Sequence, residues 1–186
     1  MSFKRSNANW RDGIMINFIL AYALRFIALI LVQVLVINNL SLGYYANPYI
    51  FPLFVMTLPF STQQWILILI GFFTGITVDA FSNSMGMHAA ACAFMAFARP
   101  AALGFLTPKS SYESIDQPGL QSLGYAWFIV YTGLLTLLHH LAYFYLEVFS
   151  LDNFFQTLGK VFLSAIVSTL LILLAVMIFS PDKKRI

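Results

Sequence analysis

Apolar stretches long enough to cross a bilayer follow one another from residue 16 to residue 180, most of them separated by only a few polar residues. A spanning helix needs about 20 predominantly apolar residues at ~1.5 Å each, and a water-soluble globule cannot bury so many in succession. Hydrophobic residues make up 60% of the chain, charged ones 9%, and the mean hydropathy is +0.83. A soluble domain carries roughly 25% charged residues. The fold class expected is therefore all-α integral membrane.

Six spans are predicted, at about 16–37, 48–60, 64–82, 87–106, 122–147 and 154–180. The second is short and holds Pro48, Pro52 and Pro59, so it is expected to be kinked, tilted or re-entrant. Charge placement argues that it crosses. Lys4, Arg5 and Arg11 precede the first span and Lys183, Lys184 and Arg185 follow the last. The positive-inside rule then puts both ends in the cytoplasm, which needs an even number of crossings. Six crossings also place Arg99 and Lys109 inside and leave Asp79, Glu147 and Asp152 toward the outside, with Lys160 as the exception. The first apolar run is too long for a signal h-region and lacks a small-x-small site, so it is expected to stay as a membrane helix. The expected organisation is a cytoplasmic N-terminal tail (1–15), one six-helix membrane domain (16–180) and a cytoplasmic basic tail (181–186). The polar connection 107–122 is expected to be a solvated cytoplasmic loop.

The segment GFFTGITVDAFSNSMGMH, residues 71–88, ends an apolar run on an aspartate. Gly71, Gly75 and Asp79 recur every four residues and share one helix face, where small residues let another helix come close. A carboxylate is costly against lipid, so that face is predicted to turn toward protein. A second reading leaves Asp79 simply at the water boundary. His88 lies at a similar depth and could pair with it, or could be bonded to water. Arg99 precedes Pro100 and is expected to snorkel at the inner boundary. Arg25 sits near the middle of the first apolar run, where an unpaired cation costs ~2.5–3.5 kcal/mol, so it must snorkel, pair or line a polar cavity. Asp79 is its best acidic candidate, at the limit of the arginine's reach. Thr132, Thr136, His140, Tyr143 and Glu147 form one polar stripe, and Lys160, Ser164 and Ser168 another. Glu147 and Lys160 flank a short connection and could form an ion pair. With His140 they make an outer-half polar cluster.

No catalytic, cofactor or metal motif is present. His139 and His140 are adjacent and point to different helix faces, a poor chelate geometry, and no His-Glu-x-x-His, nucleophile elbow or phosphate-binding glycine loop occurs. Cys92 is the single cysteine, which excludes a disulfide framework. No basic surface interleaved with aromatics points to nucleic acid. An enzyme is not expected.

A third helix ending GITVDAFSNSMGMHAAA and a fourth carrying FARP, in a chain of this length and topology, resemble the rod shape-determining protein MreD family. The resemblance is closest over residues 48–100, at Gly71, Gly75, Asp79, Gly86 and His88. It implies a compact six-helix bundle similar to the substrate-binding subunits of energy-coupling-factor transporters, with a hollow facing outward that would receive a partner's helix or loop instead of a vitamin. It also implies a non-enzymatic scaffold of the cell-elongation complex in the bacterial cytoplasmic membrane. The partners implied are an MreC-like bitopic membrane protein and, through it, MreB filaments, an elongation transpeptidase and a glycosyltransferase. The rival expectation is a substrate-binding membrane subunit of a vitamin importer, although the first helix shows no clear Ala-x-x-x-Ala pair for docking a coupling partner.

Overall fold

The structure, a computed structural model, describes residues 3–40, 46–106, 117–149 and 153–179, with side chains described from Ile16 onward. The C-terminal basic tail and most of the connection 107–122, Lys109 included, lie outside the described residues, as does Asp152. The described chain is helical, without strands: α1 (Phe3–Leu35), α2 (Leu53–Met56), α3 (Gln64–Ser82), α4 (Met87–Leu106), α5 (Leu120–Leu123), α6 (Tyr125–Val148) and α7 (Phe154–Phe179). A 3-10 turn, Ile37–Asn39, follows α1. Residues 3–15, expected as a tail, continue the first helix.

Among the described residues five helices, not six, are long and apolar enough to cross a membrane. The expected span at 48–60 is the exception: only Leu53–Met56 is helical there. The physical reason lies in its prolines, which remove backbone donors and bias the residue before each away from the helical region. The fifth expected span begins at Tyr125 because Gly124, at φ +86°, breaks it from the short α5.

α4 packs between α3 and α6, and α6 in turn packs against α7. α1 joins this row through α3 and α2. The irregular segment 46–60 runs alongside α1 in the opposite direction. The Ile50 N–H donates to Gln33 Oε1 of α1, Phe54 packs edge-on against Phe26, and Thr57 meets Arg25. Every residue from Tyr49 to Met56 is buried. The chain's centre is thus filled by a segment that is helical only over Leu53–Met56.

α3 and α4 form a tight antiparallel pair across a turn in which Asn83, Met85 and Gly86 all take positive φ. Gly71 and Gly75 make the approach possible. A Cβ on Gly75 would lie 2.3 Å from the His88 carbonyl oxygen, and one on Gly71 would lie 2.8 Å from that of Cys92. The small-residue face is therefore covered by this chain's own α4, made of Ala89, Cys92 and Ala96 at the contact. Overpacking of this kind costs ~1–3 kcal/mol where neighbours can shift, and here the neighbour is backbone. Gly75→Ala is expected to lower the melting temperature in detergent sharply or to prevent accumulation. Gly133→Ala, where an added methyl meets nothing within 4 Å, should leave both unchanged.

Candidate functional site

Backbone that is not helical cannot satisfy its own N–H and C=O groups, and in a bilayer no water does so for it. In segment 46–60 the N–H groups of Leu53, Phe54, Met56, Thr57 and Leu58 bond to the segment's own carbonyls, and side chains of the surrounding helices take that role for several of the groups that remain. The Asn47 N–H donates to Ser164 Oγ at 3.0 Å and the Tyr49 N–H to Ser168 Oγ at 2.8 Å, both on α7. Gln33 of α1, wholly buried, accepts from the Ile50 N–H at 2.8 Å and donates to the Pro48 carbonyl at 3.3 Å. Tyr131 of α6 donates to the Met56 carbonyl at 2.8 Å, and Arg99 of α4 donates to the Leu58 carbonyl and to Tyr131 Oη. Pro48, Pro52 and Pro59 have no N–H at all, which removes three donors from the problem.

His140 completes one of these links. Its Nδ1 lies 2.8 Å from the Thr136 carbonyl and its Nε2 lies 3.1 Å from Ser168 Oγ. The consistent neutral tautomer donates from Nδ1 to Thr136 and accepts at Nε2 from the Ser168 hydroxyl, which in turn accepts from Tyr49. Tyr49 then stands in a nest of rings, with centroids 4.9 Å from His88, 5.7 Å from His139, 5.2 Å from His140 and 5.2 Å from Tyr143.

Asp79 sits at the far end of α3 and is buried. Its Oδ1 accepts from the His88 N–H (3.0 Å), from Ser84 Oγ (2.5 Å) and from His88 Nδ1 (2.9 Å), while Oδ2 accepts from the Ala89 N–H (2.9 Å). Two of these donors are first-turn amides of α4, which no intrahelical carbonyl can satisfy. The carboxylate also meets the positive end of the α4 dipole. Asp79 is thus a cap supplied by a neighbouring helix.

The predicted site residues divide into five groups. Asp79 and His88 are in contact, and Gly71 and Gly75 lie on the same α3–α4 seam. Glu147 and Lys160 pair at 3.2 Å at the rim, apart from His140, which serves the core. Arg99 does not snorkel. It is 1% exposed, because the carbonyl of Leu58 and the hydroxyl of Tyr131 draw it inward. Arg25 does not reach Asp79. Asn38 at the end of α1 is level with Ser82, so Arg25 and Asp79 are separated by roughly 15 Å along the bundle at ~1.5 Å per residue. Arg25 instead meets Thr57 Oγ1 at 3.5 Å and the Tyr22 ring at 5.4 Å.

Sequence reasoning missed Gln33, Tyr49, Ser84 and Tyr131. Gln33 carried a usable signal, a lone amide in an apolar run, open to the same argument as Arg25. Among the described residues no three His, Cys, Asp or Glu side chains are placed to hold a metal ion. Comparison with protein-family models, curated proteins and solved structures gave no match.

Leaving a buried donor or acceptor unmet costs ~1–3 kcal/mol. Gln33→Leu, which strands the Ile50 N–H and the Pro48 carbonyl, is expected to lower the melting temperature of the detergent-solubilised protein by several degrees, as is Asp79→Ala. Gln156→Leu, at an exposed position, serves as the control and should leave it unchanged.

Proposed function

We propose that this polytopic helical membrane protein is a non-enzymatic scaffold whose work is done by its outer helix faces. The particular role we assign is that of an MreD-type subunit of the bacterial cell-elongation complex. In it the chain binds an MreC-like bitopic protein and links MreB filaments to the transpeptidase and glycosyltransferase that extend peptidoglycan. The observation that carries the choice over a vitamin-importer subunit is the filled centre. A substrate-binding subunit needs an outward hollow for its ligand, whereas the hollow that the MreD resemblance implies takes up polypeptide, and Tyr49 and Phe51 of the chain's own segment 46–60 are buried within the bundle, 6% and 0% exposed.

In this reading the partner's membrane helix docks on the outward faces of α1 and α7. These carry exposed Ile19, Ile27 and Leu31 on one and Ile166, Leu170 and Leu174 on the other. The glycine face of α3 is excluded as a docking surface, since α4 covers it.

Segment 46–60 counts in this proposal as a sixth traverse, made by irregular chain shielded within protein. Both termini then lie on one side, the cytoplasmic side by their basic residues. Reporter fusions at the two ends should both give the cytoplasmic signal; opposite signals would end the six-traverse reading. Affinity purification from the source membrane should bring down a bitopic coiled-coil protein with a penicillin-binding protein, and depletion should round the cells. Normal cell shape with a vitamin-uptake defect would favour the importer instead.

A further inference from the structure

Arg25 is the only charged residue of the apolar span Ile16–Asn39, and it is exposed. Its guanidinium offers five N–H donors in a planar fork. The contacts it makes are a 3.5 Å approach to Thr57 Oγ1 and a stack over the Tyr22 ring, neither of them an anion. Among the described residues the ion pairs are Asp79–His88 and Glu147–Lys160, so no described carboxylate pairs with it. The guanidinium lines a groove of about 250 Å³ with Phe18, Ala21, Tyr22, Pro59 and Gln117.

Two further observations say what fills that groove. The first is depth. Tyr22 donates to Gln117 Oε1 at 2.8 Å, and Gln117 is an exposed residue of the connection between α4 and α6. Arg25 lies one turn further along α1, ~4.5 Å at ~1.5 Å per residue, so its head reaches the level where headgroups begin. The second is surroundings. Neighbouring exposed residues of α1 are Leu20 and Leu24, a surface that meets acyl chains. An anion arriving there must be carried on a hydrocarbon tail.

We propose that this groove binds an anionic membrane phospholipid, with Arg25 donating to the phosphate's non-ester oxygens and an acyl chain lying along Phe18 and Ala21. Arginine–phosphate recognition of this kind is bidentate and favours a planar fork over a point charge. The inference needs only that α1 lies in a bilayer and does not depend on the cell-elongation reading.

The test uses the full chain, delipidated in a non-ionic detergent and titrated with phosphatidylglycerol, phosphatidylcholine or inorganic phosphate. Bound lipid is read by native mass spectrometry and stabilisation by the melting temperature. Phosphatidylglycerol is expected to bind and stabilise, and the other two are not. Arg25→Leu should weaken phosphatidylglycerol binding about tenfold, the loss of roughly one charge-assisted contact, and Arg25→Lys should fall between. A variant with Lys183, Lys184 and Arg185 changed to Gln controls for general attraction and should retain the tight lipid. Unchanged phosphatidylglycerol binding by Arg25→Leu would overturn the site, as would equal binding of phosphatidylcholine. Equal stabilisation by inorganic phosphate would make it a soluble-anion site and reject the lipid. If Arg25→Leu does not fold, binding by Arg25→Lys equal to that of the unaltered chain rejects it too.

Discussion

Non-helical backbone at the centre of a membrane bundle must find a hydrogen-bond partner for nearly every N–H and C=O it exposes, and most other polar positions in this chain follow from that demand. An unsatisfied group in hydrocarbon costs several kcal/mol, and segment 46–60 would present many. The solution is distributed. α1 gives Gln33, α4 gives Arg99, α6 gives Tyr131 and His140, and α7 gives Ser164 and Ser168. Each of these side chains would be a liability on a lipid-facing surface. Turned inward, each fixes one point of the irregular chain, and together they set its path between the helices.

The α3–α4 pair obeys the same rule at a smaller scale. A helix beginning inside a membrane bundle leaves its first amides without partners, and α4 begins at Met87 with His88 and Ala89 buried. Asp79 answers both amides and the His88 ring at once. It can do so only because Gly71 and Gly75 let α4 lie against the backbone of α3. The glycines and the aspartate are one device, with the close approach making the cap and the cap fixing the register. A side chain at either glycine would separate the helices and take the carboxylate from the amides.

Much of this was legible in the sequence, and the limits have physical causes. Membrane class, the long helices and the inward turn of the Gly71–Gly75–Asp79 face follow from hydropathy and helical period, which are local properties. The stripes through His140 and through Ser164 and Ser168 were visible for the same reason. What they bind was not, since the partner is backbone 119 residues away in the case of Ser168 and Tyr49, and backbone amides leave no mark in a sequence. The prolines at 48, 52 and 59 signalled an interrupted helix but not how completely it is lost. For Arg25 the sequence left snorkelling, pairing and a polar cavity open, with Asp79 as the best acidic candidate; the connectivity that puts Asn38, not Arg25, beside Ser82 is a tertiary fact.

A chain that spends its buried polar groups on itself has few left for others, and that limits where function can reside. The histidine and tyrosine nest around Tyr49 is enclosed by α4, α6 and segment 46–60, so no partner helix can reach it without unpacking the bundle. What remains on the outside is apolar along α1 and α7, interrupted by the Glu147–Lys160 pair at one rim and by Arg25 toward the other. Apolar surface alone gives a membrane partner little to recognise, because lipid tails are equally apolar. Selectivity therefore has to come from shape along those faces and from the few charges that break them. Arg25 faces outward on α1, the least buried of the apolar spans among the described residues, and so any partner or lipid seated on that side of α1 must answer its charge.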